Sequence, residues 1–283
     1  MTPYKKAFIA MFTTGVGFAL FYSMNKLSSL FLNPPITASL FLSQTPNIII
    51  NGLILQQPSS TLLVMLLALI TMNLGFQYLR KSSSHFYTWL GINFVLWGLG
   101  AFLAGLSYQA FGYQLKCVVY DVCLFTDVLE LLYMSVTVLS INAFLMAYRE
   151  LIHNEKWKKI LQNYALISVV LYVFFQGFGM IYPFKFMVSY EGMLLFLSPN
   201  ILIMMVISYR NRTTPIHQVL FKLWIFFLGV NIAYFVALFA GQGSYLLENY
   251  HLWFNENDTL HILLILWMVY FGLCIRVTPN KKL

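Results

Sequence analysis

The feature that most constrains this chain is a succession of long apolar runs separated by short polar breaks. A helix that crosses a membrane needs about 20 predominantly apolar residues, and eight runs approach that length. With 60% hydrophobic and 9% charged residues, the chain lies outside the usual balance of a soluble domain. We therefore predict an all-α integral membrane protein with eight spans. The runs lie near 7–24, 60–79, 86–106, 119–148, 160–181, 187–208, 217–241 and 258–275.

The basic residues are grouped at the ends of these runs. The formal net charge of +8 therefore indicates membrane orientation and not a nucleic-acid partner. With the amino terminus in the cytoplasm, 14 of the 17 Lys and Arg residues fall in inside segments. Only Lys26, Lys116 and Lys185 fall outside. This asymmetry predicts eight spans with both termini cytoplasmic.

The first run combines a basic start with a long apolar middle. It is either a cleaved signal peptide or an uncleaved signal anchor. Because the apolar stretch is long and no clear cleavage site follows, we predict an anchor. The chain then divides into an anchor helix with an outer interfacial segment, 1–59, and a seven-helix transmembrane domain, 60–283. If the first run were removed, the other seven would keep their orientation.

The segment between the first two runs is apolar but interrupted by prolines, among them Pro34, Pro35 and Pro46, and has no charge after Lys26. It is too interrupted to span a membrane. We expect either one or two short helices lying in the outer interface or a packed loop.

The cysteines give a weaker signal. Cys117 and Cys123 fall near the outer end of the fourth run. If both lay on one continuous helix, their spacing would point them apart, so we predict two unpaired packing cysteines. A disulfide in an oxidising compartment is the alternative. Cys274, within the last run, is interpreted as a packing residue.

Polar residues of four runs fall at one level of the membrane, on the outer side. Ionisable side chains inside a span are costly, so each is a functional candidate that needs a partner. Their coincidence predicts an outward-facing polar cavity. The residues are Ser107, Tyr108 and Gln109 in the third run, Asp121, Asp127 and Glu130 in the fourth, Ser189, Tyr190 and Glu191 in the sixth, and Asn257, Asp258 and His261 in the eighth.

The start of the eighth run, "NDTLH", has a structural and a functional interpretation. An acid in the first turn of a helix caps the chain and complements the helix dipole, which is sufficient to explain Asp258. Capping does not explain His261, which lies one turn deeper. An imidazole at that position can bind a metal or accept a proton.

This arrangement resembles a superfamily of seven-span membrane proteins that includes alkaline ceramidases, adiponectin-type receptors and hemolysin III-like proteins. The resemblance covers about residues 60–276 and follows the order of the polar helices. In that family, a Ser-xxx-His, an Asp and a His-xxx-His hold a zinc ion and a water that cleaves an amide. Here Asn257-xxx-His261 stands at the last motif, Asp121 or Asp127 at the acid, and Ser107 at the serine, without the following histidine.

The first functional hypothesis follows from this resemblance. It is a divergent membrane-embedded hydrolase acting on a lipid amide or ester, with zinc as the expected metal and membrane lipids as partners. His261 and Asp258 would bind the metal or activate water, and Asp121 would be a further ligand. Asp127 would position the reacting group, and Ser107 or Tyr108 would stabilise an oxyanion.

The second hypothesis is a non-enzymatic protein that binds or transports a lipid or solute. Asp127, Glu130 and Glu191 would line its cavity, and Pro199 would either break the sixth run at mid-membrane or simply kink it. Against transport, the sequence has no inverted repeat and no evident polar cluster on the cytoplasmic side. The third hypothesis is a purely structural membrane protein. The compact chain favours a bacterial inner membrane.

Overall fold

The computed structural model describes residues 30–44, 46–81 and 84–275. Within them, seven helices are long and apolar enough to cross a membrane, which confirms an all-α, multi-pass membrane protein. The first predicted run, 7–24, lies outside the described residues. The elements are α1 Ala38–Ser43, β1 Asn47–Ile50, β2 Leu53–Gln56, α2 Pro58–Lys81, α3 His85–Ala104, a π-helical turn Gly105–Ala110, α4 Gly112–Lys116, α5 Val128–Glu150, α6 Glu155–Ile181, a 3-10 turn Lys185–Val188, α7 Tyr190–Arg210, α8 Pro215–Phe239, α9 Gln242–Tyr250 and α10 Glu256–Cys274.

Helix α5 is the centre of the bundle. It packs against α3, α6 and α7, while α10 packs against α2 and α8. The span formed by α5 is 72% buried inside the protein, against 22–44% for the other six spans. We name the two ends of the bundle the outer end and the inner end. The outer end holds the end of α3 and the starts of α2, α5, α7 and α10.

Helices α2 and α3 approach closely because glycines face the neighbouring backbone. A Cβ atom on Gly98 would lie 2.8 Å from the carbonyl oxygen of Ala68, and one on Gly105 would lie 2.5 Å from Cγ1 of Val64. Real Cβ atoms do not approach other atoms so closely, so these positions require glycine. The π-helical turn is thereby held against the first turns of α2.

The predicted start of the fourth run is wrong. The helix begins at Val128 and not near residue 119, because Asp127 caps it and the preceding residues form a loop. An outer segment pairs with this loop: the Leu32 amide donates to the carbonyl of Cys123, and the Phe125 amide donates to the carbonyl of Leu30.

The prediction of two unpaired cysteines is also wrong. Cys117 and Cys123 form a disulfide, with their Cα atoms 4.3 Å apart. The argument against pairing assumed one continuous helix, but α4 ends at Lys116 and α5 begins eleven residues after Cys117, at Val128. The chain turns back between the cysteines, which brings their side chains together.

The described part of the segment before α2 is neither two helices nor an irregular loop. It contains the single short helix α1 and an antiparallel hairpin, β1 and β2. Asn51 and Gly52 join the strands, both with positive φ, as the tightest hairpin turn requires.

Helix α7 continues through Pro199. The helix runs unbroken from Tyr190 to Arg210, and the side-chain amide of Asn200 donates to the carbonyl of Phe196 at 2.8 Å. The structure therefore has no chain break at this position, and the mid-membrane break considered for the transport hypothesis is not observed.

Candidate functional site

The start of α10 is a capping box. The side chain of Asn255 accepts a hydrogen bond from the backbone N–H of Asp258 at 3.1 Å, and Asp258 Oδ2 accepts one from the backbone N–H of Asn255 at 2.9 Å. Two otherwise unsatisfied donors at the helix start are thus satisfied reciprocally. This is the structural interpretation of "NDTLH".

Asp258 also binds a second helix. Ser60 donates to its Oδ1 at 2.7 Å and Ser59 donates to its Oδ2 at 3.0 Å, both from the first turn of α2. Asp258 is fully buried, so both carboxylate oxygens are occupied by protein donors. The sequence analysis missed the two serines, although two hydroxyls directly after Pro58 at a span start are the signal that could have identified them.

His261 lies one turn after Asp258 and is buried, at 7% exposure. Its Nδ1 atom has no hydrogen-bond partner among the described residues. Buried polar atoms are nearly always paired, so an orphaned imidazole nitrogen needs an explanation.

Asp127 repeats the arrangement of Asp258 at the start of α5. Its Oδ1 accepts hydrogen bonds from the backbone N–H groups of Leu129 at 2.7 Å and Glu130 at 3.2 Å. Ser107, from the π-helical turn after α3, donates to its Oδ2. The structure therefore brings together Ser107 and Asp127, as the shared level of the two runs predicted.

An ion pair lies beside this contact. Lys116 of α4 and Glu130 of α5 form a salt bridge although they are only 7% and 1% exposed. The ammonium also donates to the carbonyl of Phe125 at 3.4 Å and lies 5.1 Å from the ring centre of Tyr108. The sequence analysis counted Lys116 only as an outside charge, because its distance from Glu130 along the chain gives no local signal.

Two tyrosines complete this group. The rings of Tyr108 and Tyr133 meet edge to face, with their centres 5.6 Å apart. Tyr108 is 39% exposed, whereas Tyr133 is buried. Of these two tyrosines, Tyr108 is the one that is accessible at the protein surface. We call the following residues the outer polar cluster: Ser107, Tyr108, Lys116, Asp127, Glu130 and Tyr133.

The proposed metal ligands do not converge. Asp121 is exposed on the disulfide loop, and both oxygens of Asp258 accept hydrogen bonds from serines. Within the described ranges, no three His, Cys, Asp or Glu side chains form a group able to hold a metal ion. Zinc sites take three or four such ligands. The residues present in this part of the chain therefore do not fit the zinc centre that the family resemblance implies.

Glu191, predicted to line a cavity, is exposed in the first turn of α7. The cap of that helix is Ser189, whose side chain accepts a hydrogen bond from the Gly192 amide at 3.3 Å. Glu191 therefore does not join the buried group formed by Lys116 and Glu130.

The inner end carries a polar cluster that the sequence analysis judged absent. The hydroxyls of Tyr148 and Ser208 are 2.8 Å apart, and the indole N–H of Trp224 donates to Tyr148 at 2.7 Å. His217 is buried nearby, with its ring 6.4 Å from that of Tyr148. These residues come from α5, α7 and α8, so only the folded bundle assembles them.

Family models, curated proteins and solved structures were each compared with this chain, and none of them matches it.

Proposed function

We propose that this multi-pass membrane protein binds a lipid or a small solute at the outer polar cluster without catalysing a reaction. The observation that carries the proposal is the ion pair between Lys116 and Glu130, buried at the outer end beside a partly exposed Tyr108. Glu130 lies inside a membrane span, whereas Lys116 reaches it from the short helix α4. An ionisable residue inside a span is expensive, and such residues commonly mark the paths and sites of ligands.

The energetics of a buried ion pair support this proposal. Removing two charges from water costs several kcal/mol each, and apolar residues of similar volume often stabilise a fold as well or better. A pair that served only packing would therefore gain little from its charges. Lys116 also has a cation–π contact with Tyr108, so a ligand that reaches this ring also reaches the ammonium.

The state of the two aspartates favours binding over hydrolysis. Asp127 and Asp258 each cap a helix and each accept a serine hydroxyl from a neighbouring helix. A carboxylate held in this way has little freedom to exchange a proton with a substrate. Their geometry is that of structural connections between helices.

A second candidate function is a divergent hydrolase acting on a lipid amide or ester. Its support is the buried imidazole of His261, whose Nδ1 lacks a partner among the described residues. In this candidate, His261 accepts a proton from the water that attacks the carbonyl carbon, and it returns the proton to the leaving amine or alcohol as the C–N or C–O bond breaks. The Tyr108 phenol donates to the developing oxyanion, or the Ser107 hydroxyl does so by leaving Asp127. No step of it runs through a metal ion.

The membrane topology is part of the proposal. We infer eight spans with both termini in the cytoplasm of a bacterial cell and with the inner end facing that cytoplasm. The junction between α5 and α6 supports this, because Arg149 lies in the last turn of α5 and Lys156, Lys158 and Lys159 lie at the start of α6. The disulfide at the opposite end supports it too, since disulfides persist in oxidising compartments.

Native mass spectrometry of the detergent-purified protein tests the two candidates. We expect a co-purified lipid or solute that is lost in the double variant Lys116→Met/Glu130→Gln. The matched control is Lys158→Met/Glu155→Gln, which removes an ion pair of 2.7 Å at the inner end, where Glu155 is largely exposed. Ligand retained by both double variants would contradict the binding proposal.

Elemental analysis and an assay of lipid amide and ester turnover, on the wild type and His261→Ala, test the metal conclusion and the hydrolase candidate. Stoichiometric zinc that disappears in His261→Ala would overturn the conclusion that these residues do not fit a metal. Turnover of lipid amides or esters that is abolished by the same substitution, in a protein free of zinc, would favour the second candidate over the first.

A further inference from the structure

The hairpin β1–β2 projects from the outer end with an apolar tip. Ile48, Ile49, Ile50 and Leu53 are all exposed, and Ile49 is 68% exposed. Since successive strand residues point to opposite faces, three consecutive exposed isoleucines leave both faces of β1 uncovered by the part of the chain that the structure describes. Packing against the bundle therefore does not account for them.

The base of the same hairpin is firmly held. Gln56 is buried and accepts a hydrogen bond from the Tyr113 amide at 2.7 Å, and the side chain of Gln114 donates to the carbonyl of Ile54 at 2.7 Å. Both partners belong to α4. The hairpin is thus a rigid projection with a buried polar base and an exposed apolar tip.

The hairpin is continuous with a membrane-facing surface. Strand β2 ends at Gln56 and α2, a span, begins at Pro58. The outward face of α2 exposes Leu62, Leu66 and Leu69. A four-residue strand spans about 13 Å, so the tip stays within reach of the lipid headgroup layer.

The charge distribution identifies what covers the tip. Residues 27–79 contain no Asp, Glu, Lys, Arg or His. A water-exposed hairpin edge with four bare aliphatic side chains would promote aggregation, and soluble proteins block such edges with charges or prolines. An uncharged apolar segment next to a span fits lipid instead.

We propose that the tip of the β1–β2 hairpin inserts into the outer leaflet of the same membrane, where Ile48, Ile49, Ile50 and Leu53 contact the upper acyl chains. The unpaired strand edges set the depth, because open sheet edges do not occur in the hydrocarbon core. The backbone lies among the headgroups, and the side chains reach about 5–10 Å deeper. The inference rests on the membrane spans and not on the ligand proposed above.

Insertion has a consequence for the rest of the outer end. The hairpin is bonded to α4, and α4 ends at Lys116, which pairs with Glu130. Lipid that holds the tip therefore also fixes the position of α4 relative to the start of α5. The hairpin is the structural connection between the outer leaflet and the outer polar cluster.

Site-directed fluorescence in lipid nanodiscs tests the insertion. The full chain with Cys274→Ser and Ile49→Cys carries one environment-sensitive probe at the tip, because Cys117 and Cys123 are joined in a disulfide. The control is Glu155→Cys, a charged position at the start of α6 whose side chain is 80% exposed. A second tip position, Leu53→Cys, guards against a local effect of either substitution.

We expect lipids with a quencher near the headgroup to reduce the emission of both tip probes about twofold or more, and to reduce that of the probe at position 155 much less. Aqueous iodide should give the reverse order. Tip probes quenched by iodide as strongly as the control would overturn the proposal. Tip probes quenched by neither agent would also overturn it, since a second protein copy would then cover the hairpin.

Discussion

The starts of α5 and α10 are built alike and differ in what lies next to them. In each, an aspartate accepts backbone N–H bonds at the helix start and a serine hydroxyl from another helix: Asp127 with Ser107, Asp258 with Ser60. Beside Asp127 lies a buried ion pair, whereas Asp258 has no ion pair among the described residues and is followed one turn later by the buried His261. The comparison teaches that a buried acid at a span end is first a connection between helices. Function has to be sought in its neighbours.

The largest expected effect concerns the ion pair at the α5 end. Lys116→Met leaves Glu130 buried without its counter-charge and should lower the free energy of unfolding by about 3–5 kcal/mol. The double variant Lys116→Met/Glu130→Gln should recover most of this loss, because neither charge remains. Equilibrium unfolding in mixed micelles measures both values. Lys158→Met should change stability far less, because its partner Glu155 is exposed and water screens the pair.

If Lys116→Met cost no more than Lys158→Met, Glu130 would have another partner or access to water. The start of α5 would then resemble the start of α10, and the ion pair would no longer support the binding proposal.

The second effect tests whether the two aspartates do the same structural work. Asp127→Ala and Asp258→Ala should each destabilise the protein by about 2–3 kcal/mol, the loss of a cap and of bonds to a charged acceptor. Double-mutant cycles with Ser107→Ala and Ser60→Ala should each give a coupling energy of about 1 kcal/mol or more. A coupling near zero in only one cycle would show that the two helix starts are not equivalent.

The third prediction concerns the disulfide, whose removal should affect the start of α5 and not the start of α10. Removing the disulfide with Cys117→Ser/Cys123→Ser should cost about 2 kcal/mol, since the closed loop is short. Hydrogen exchange should accelerate in residues 117–127 and stay unchanged in residues 255–261, because the disulfide loop leads into α5 and not into α10. Equal acceleration in both segments would mean that the outer end unfolds as one unit.

The membrane spans could be predicted from the sequence, but the contacts between them could not. Long apolar runs predicted the seven described spans because the bilayer sets the length of a helix. The start of α5 was misplaced because the apolar residues 122–125 extend the run toward its amino end, and hydropathy does not register a disulfide loop or the capping geometry of Asp127.

The candidate site shows the same division. The level of Ser107 and Asp127 followed from counting residues along each run, and the structure joins them. Lys116 with Glu130, and Ser60 with Asp258, are pairings between different elements that no local pattern encodes. The predicted metal set failed to converge for a similar reason: Asp121 shares a run with Asp127 in the sequence but lies on the exposed loop.

The smallest expected change in stability is at His261. Its size distinguishes a structural role of the start of α10 from a functional one. Because its Nδ1 has no partner among the described residues, His261→Leu should change the free energy of unfolding by less than about 1 kcal/mol. Thermal unfolding in the detergent used for purification measures this, with Trp267→Leu as a large-effect control, since the buried Trp267 indole N–H donates to the Leu223 carbonyl at 2.8 Å. A loss above about 2 kcal/mol would mean that the imidazole has a bound partner in the membrane. The α10 end would then be a second functional site, and the hydrolase candidate would gain the direct support that the geometry of Asp258 does not give it.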